Sequence, residues 1–149
     1  MRRNLGYWPL KAAMRGTMFS FPIRVYYEDT DAAGVVYYAN YLKFAERART
    51  EWLRSFGVSQ HTMLEKDGVG FVVSHVSAAY KAPARLDEEI HVDCTVTKLG
   101  KVRISMQQTI RHHDKILVAL DVDIACVDRE FSPARLPETL QAAFAAHMH

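Results

Sequence analysis

From residue 70 onward the chain is dominated by alternation, and a period-two pattern of that length commits it to a sheet with one buried face. Ile90, Val92, Cys94 and Val96 fall on one side of a strand over residues 89 to 98, opposite His91, Asp93, Thr95 and Thr97. Leu99-Gly100-Lys101 supplies a tight turn. Val102, Ile104, Met106, Gln108 and Ile110 then mark the inner face of the next strand. His112-His113-Asp114-Lys115 forms a second turn, followed by Ile116, Val118, Leu120, Val122 and Ile124 on another inner face. Residues 70 to 80 read as a further strand carrying His75, for which the expected place is a hydrogen-bonded position in the core.

One long helix precedes this pattern. Tyr41, Ala45, Ala48 and Trp52 recur at three- and four-residue intervals, Leu42, Leu53 and Phe56 widen the stripe, and Gly57 is placed to stop it. Ile23, Val25 and Tyr27 alternate on a strand ahead of the helix, and Pro137 and Glu138 open a short C-terminal helix carrying Leu140 and Phe144. The expectation is an α+β domain in which one antiparallel sheet folds against one dominant helix. Residues 1 to 18, basic and without an acid, read as a flexible extension, and residues 19 to 149 as a single domain. A chain of 149 residues with 49% hydrophobic content builds one core and is short for two.

Charge and cysteine content narrow the function classes. A formal net charge of +2 gives no field suited to nucleic acid. Cys94 and Cys126 lie in strand-like runs without metal or redox spacing, so they read as small core residues. No apolar run reaches the roughly 20 residues of a membrane span, and the expectation is a soluble, cytoplasmic protein. Long strands with an open edge favour pairing with a second copy, as a homodimer or homotetramer.

The segment with chemical content is the connection between the first strand and the helix, Tyr26 to Tyr41. It holds Glu28, Asp29 and Asp31 and then runs into apolar and aromatic residues. Asp31 precedes a helix whose free N–H groups polarise a carbonyl oxygen, and carboxylate plus oxyanion donors suit acyl chemistry. Alternative readings are a helix cap or Asx turn for Asp31, and a solvated or turn-forming role for Asp29, whose spacing to Asp31 lacks the further ligands a metal site needs. Glu46 is a reserve acid that Arg49, three residues on, would pair with in an ordinary ion pair.

The run from Val25 through Asp31, Gly34, Tyr38 and Tyr41, followed by Phe44, Glu46, Arg47, Arg49 and Glu51, closely resembles the hydroxybenzoyl-CoA thioesterase family of hotdog-fold proteins. The resemblance continues through Tyr80, Lys81, Pro83, Arg85, Leu86 and Asp87 to Asp128, and is nearest to the acyl-CoA thioesterase branch associated with the Tol-Pal system. That branch often has His where this chain has Tyr38. The resemblance implies a sheet wrapped around a central helix and hydrolysis of an acyl-CoA without a cofactor or metal. It further implies that Asp31 acts as nucleophile or general base while the Tyr38 N–H polarises the thioester carbonyl. Gly34, Val36, Tyr37 and Tyr41 are then expected around the acyl group, with packing between helix and sheet the other reading of the tyrosines, and Lys81 and Arg85, with Arg103 as a further basic residue, near the CoA phosphates, with a solvated rim as the alternative. A hotdog module that binds acyl-CoA or acyl-carrier protein without turnover is the alternative.

Overall fold

The computed structural model describes residues 13–15 and 18–148. Six antiparallel strands form one sheet in the order β1-β2-β4-β5-β6-β3, with β1 at Ala13–Arg15, β2 at Met18–Arg24, β3 at Val69–Tyr80, β4 at Glu89–Leu99, β5 at Arg103–His112 and β6 at Lys115–Asp128. Helix α1, Asn40–Arg54, lies across β2, β4 and β5, and the result is the expected α+β hotdog architecture. The boundary expected near residue 19 moves: Ala13–Arg15 already pairs with Met18–Ser20, so ordered structure reaches into the basic segment. The rest of the proposed extension, residues 1–12 and 16–17, lies outside the described residues.

Helix α1 forms where the apolar spacing demands it. Tyr41, Phe44, Ala45, Ala48, Trp52 and Leu53 are buried along one face, while Leu42 is exposed, so Phe44 and not Leu42 completes the stripe. Gly57 takes φ +77°, a left-handed conformation, and its N–H closes on the Arg54 carbonyl at 2.8 Å. Ile90, Val92, Cys94 and Val96 of β4 face this helix, as do Ile104, Met106, Gln108 and Ile110 of β5. Buried Gln108 is satisfied, accepting from Arg49 Nη1 at 2.9 Å and donating to the Ala45 carbonyl at 2.9 Å. Arg49 therefore reaches the sheet and makes no ion pair with Glu46 within 4 Å, which corrects the expected pairing.

Three further departures have local causes. A register shift at Ile110/Arg111 turns Leu117 inward and leaves Ile116 exposed, breaking the simple alternation of β6. His75 is exposed beside the register shift on β3 and is not a core histidine. A second helix, α2, spans Gln60–Asp67, capped by Ser59 Oγ accepting from the Thr62 N–H at 3.1 Å and ended by Gly68 at φ +66°.

Helix α3, Glu138–Ala146, docks through buried Leu140 and Phe144, and Phe144 stacks on Trp52 with ring centroids 4.7 Å apart. Both cysteines are free and buried. Burial pushes the Cys94 thiol up to about 12, since the thiolate would lie in the core beside Gln108. The raised value in the folded state means the Cys94 contribution to stability is full below the ordinary thiol range and is lost as pH climbs towards 12.

Candidate active site

The loop between β2 and α1 is shaped by its two aspartates in different ways. Asp29 is buried: its carboxylate accepts the Tyr26 N–H at 2.8 Å, and its carbonyl accepts the Tyr37 N–H at 3.0 Å and Asn40 Nδ2 at 2.8 Å. It joins both ends of the loop and has little surface to offer a ligand. Asp31 is exposed at the tip. Its N–H donates to the Val35 carbonyl at 2.9 Å, its carbonyl accepts the Gly34 N–H at 3.0 Å, and Oδ1 accepts the Ala33 N–H at 2.9 Å. These bonds make an Asx turn. They leave Oδ2 without a hydrogen-bond partner among the described residues. Gly34 closes the turn at φ +77°, a conformation that a side chain would strain.

The chain enters α1 through a tight turn in which the Asn40 N–H reaches the Tyr37 carbonyl at 2.8 Å. The helix thus starts two residues beyond Tyr38. Ala39, at the N-cap, has no side chain to cap with, and the first turn carries no acid. Among the described residues the Tyr38 and Ala39 N–H groups donate to no carbonyl or side chain, so the positive end of α1 is open.

Behind this loop lies the connection from β3 to β4. The Val36 N–H donates to the Ala84 carbonyl at 2.9 Å, Val35 bridges Arg85, and the Ala84 N–H donates to the Tyr41 hydroxyl at 2.9 Å. Val36 and Tyr41 are buried by these contacts. Tyr41 is 3% exposed, and burial raises its phenol above the ordinary value. Tyr37 and Tyr38 stand at the surface with rings 5.0 Å apart, and Tyr80 stands edge-on to Tyr38 at 6.0 Å. Tyr80 escaped the sequence reading as a site residue, although an aromatic at the end of a half-exposed strand is the signal that marks it.

Lys81 and Arg85 share this end of the sheet, both with exposed side chains, and the Lys81 N–H is anchored to the Leu117 carbonyl at 2.8 Å. Arg103 does not join them: it opens β5 opposite Ala125, at the far end of the strand from His112. A cavity of about 280 Å³ lies between α1, α3 and the sheet, lined by Glu46, Arg49, Trp52, Phe71, Met106 and Phe144. A second opening of about 230 Å³ shares Glu46, Arg49 and Val73 with it and extends to Leu42 near the loop. Among the described residues no group of histidines, cysteines and carboxylates is arranged to hold a metal, and no helix is long and apolar enough to cross a membrane.

Comparison with known proteins bears on the same segment. The model of the thioesterase-like superfamily matches residues 25–144. An acyl-CoA thioesterase, YbgC, of Haemophilus influenzae is 43% identical over 127 residues, 85% of this chain and 93% of that protein. The crystal structure of a probable thioesterase from Bartonella henselae superposes with a TM-score of 0.78 at 37% identity, covering 80% of this chain and 99% of the other. That of a 1,4-dihydroxy-2-naphthoyl-CoA thioesterase from Synechocystis gives 0.80 at 27% identity, covering 86% and 96%. With the sheet, the central helix and nearly the whole length of these relatives in common, the chain belongs to the thioesterase-like superfamily and is a thioester hydrolase of the hotdog fold.

Proposed function

We propose that this protein hydrolyses acyl-CoA, with Asp31 as the carboxylate that attacks the thioester or activates water against it. The observations that support the reading are an exposed Asp31 whose Oδ2 has no protein partner among the described residues and, further along the same connection, the open N–H groups of Tyr38 and Ala39. A carboxylate supplies the nucleophile or base, and two backbone donors at the positive end of α1 stabilise the oxyanion. Thiolate is a good leaving group, so the site needs no dedicated acid. Gly34 and Tyr37 border the reacting carbonyl, with Val36 and Tyr41 beneath them, and the cavity beside α1 receives the acyl chain. Release of CoA thiol from a panel of aliphatic and aryl acyl-CoAs tests the proposal: it predicts multiple-turnover hydrolysis of at least one class, and failure on all of them rejects it.

Lys81 and Arg85 are assigned to the CoA phosphates, since both are exposed cations without an ion pair within 4 Å among the described residues. Arg85→Ala is expected to raise KM for acyl-CoA up to roughly tenfold, about 1.4 kcal/mol. KM for a thioester truncated to pantetheine should stay unchanged. Equal impairment on both substrates would remove Arg85 from the phosphate site.

The working unit is assigned as a cytoplasmic homodimer or homotetramer. Strand β3 is an edge of the sheet and exposes Val73 and Val76. Sedimentation at micromolar concentration should show no folded monomer, and Val76→Asp should shift the population towards smaller species. An active, monodisperse parent monomer would contradict the assignment.

A further inference from the structure

Tyr41 is buried, yet its hydroxyl is the first link in a chain of contacts that ends at Asp31. The phenolic oxygen accepts the N–H of Ala84, itself wholly buried, at 2.9 Å. The carbonyl of the same residue accepts the Val36 N–H at 2.9 Å, and the neighbouring Arg85 bridges Val35. Val35 in turn accepts the Asp31 N–H at 2.9 Å, and Val36 bridges Thr30. Residue 84 is thus clamped between helix α1 and the aspartate loop. The connection that carries it is tied from its other side as well. Glu88 Oε1 accepts the Arg85 N–H at 2.5 Å, Oε2 lies 2.9 Å from His112 Nδ1, and Asp87 adopts φ +72°, strained for a residue other than glycine.

We propose that Tyr41 and Glu88 are positioning residues: they hold the Ala84–Glu88 turn as a platform that fixes the Asp31 carboxylate relative to the open N–H groups of Tyr38 and Ala39. This rests on the assignment of Asp31 as the reacting carboxylate. Neither side chain touches substrate. Their effect passes through the Ala84 and Arg85 backbone, and it is large because a displacement of about 1 Å between reacting groups costs on the order of a hundredfold in rate. Asp29 ties the base of the loop to α1 through the Tyr37 N–H and Asn40 Nδ2, whereas the Asp31 to Val35 tip is closed by its own local bonds and meets the rest of the fold through the contacts of Val35 and Val36 with residues 84 and 85.

The test compares the parent with Tyr41→Phe, Glu88→Ala and Glu88→Gln, assayed well below their unfolding temperatures on the acyl-CoA that the parent hydrolyses best. Tyr41→Phe keeps the ring and deletes only the acceptor, so kcat should fall roughly 10- to 100-fold while KM stays within about twofold. Glu88→Ala should produce the same split, and Glu88→Gln, which still accepts the Arg85 N–H, should recover most of the rate. Hydrogen exchange provides the second readout: the Val36 and Ala84 amides should exchange faster in Tyr41→Phe while β4 and β5 amides keep parental protection. Parental kcat in both Tyr41→Phe and Glu88→Ala would overturn the proposal, as would lowered thermal stability in both with no change in the kcat to KM ratio. A parent without thioesterase turnover would instead reject the assignment of Asp31, independently of these variants.

Discussion

Asp31→Asn should leave a folded protein whose kcat on acyl-CoA is reduced by about a hundred- to ten-thousandfold, the usual worth of a positioned acid or base. The amide preserves the oxygen that accepts the Ala33 N–H, and the backbone bonds of Asp31 to Val35 and Gly34 do not depend on the side chain. The loop is therefore expected to keep its shape. What is lost is the second carboxylate oxygen, the one without a protein partner among the described residues, since an amide nitrogen neither attacks a carbonyl nor takes a proton from water. Circular dichroism and Tm matched to the parent, with kcat lost and substrate binding retained, is the expected set. Asp29→Ala gives the contrasting result: it removes the buried oxygen that accepts the Tyr26 N–H, so its loss should show first as lowered stability of the loop.

The second large effect is on stability. Phe144→Ala should lower the unfolding free energy by about 3–5 kcal/mol, a large fraction of the roughly 5–15 kcal/mol that a domain of this size possesses. Phe144 has no exposed surface, stacks on Trp52 at 4.7 Å and meets Phe56 edge-on at 5.9 Å. The alanine would leave a void where α3 locks onto α1, beside a cavity that already exists. Urea unfolding at fixed protein concentration measures the loss, the concentration being held because an assembled protein gains stability by mass action. A change below about 1 kcal/mol would mean that α3 contributes little to the core.

Much of the fold was legible because its periodicities are long. The strands around Cys94, Met106 and Leu120 and the stripe from Tyr41 to Trp52 are pinned by burial of one face, and each formed where the pattern places it. Features without such a pattern were missed. Helix α2 buries only Met63, and its capping by Ser59 and Gly68 is the signal that remains. The inward turn of Leu117 follows a register shift that depends on the partner strand.

The candidate site divides the same way. Asp31, Gly34 and the start of α1 are local in sequence, and one turn holds the first two together. An aromatic on the helix face, as Tyr41 is, suits an acyl pocket or the packing between helix and sheet equally well. Its bond to Ala84, 43 positions away, comes only with tertiary structure. Arg103 sits on the polar face of its strand as the alternation requires, but which end of the sheet a basic residue reaches is set by strand order.

The central claim is hydrolysis, and turnover counted in ¹⁸O-water tests it most directly. With acyl-CoA in large excess over protomers, the account predicts many equivalents of free CoA thiol and of carboxylic acid in equal amounts, with ¹⁸O from solvent in the acid, and loss of both in Asp31→Asn. Acyl-CoA retained intact at no more than one equivalent per protomer, with no labelled acid formed, would contradict it and identify the protein as a binding module.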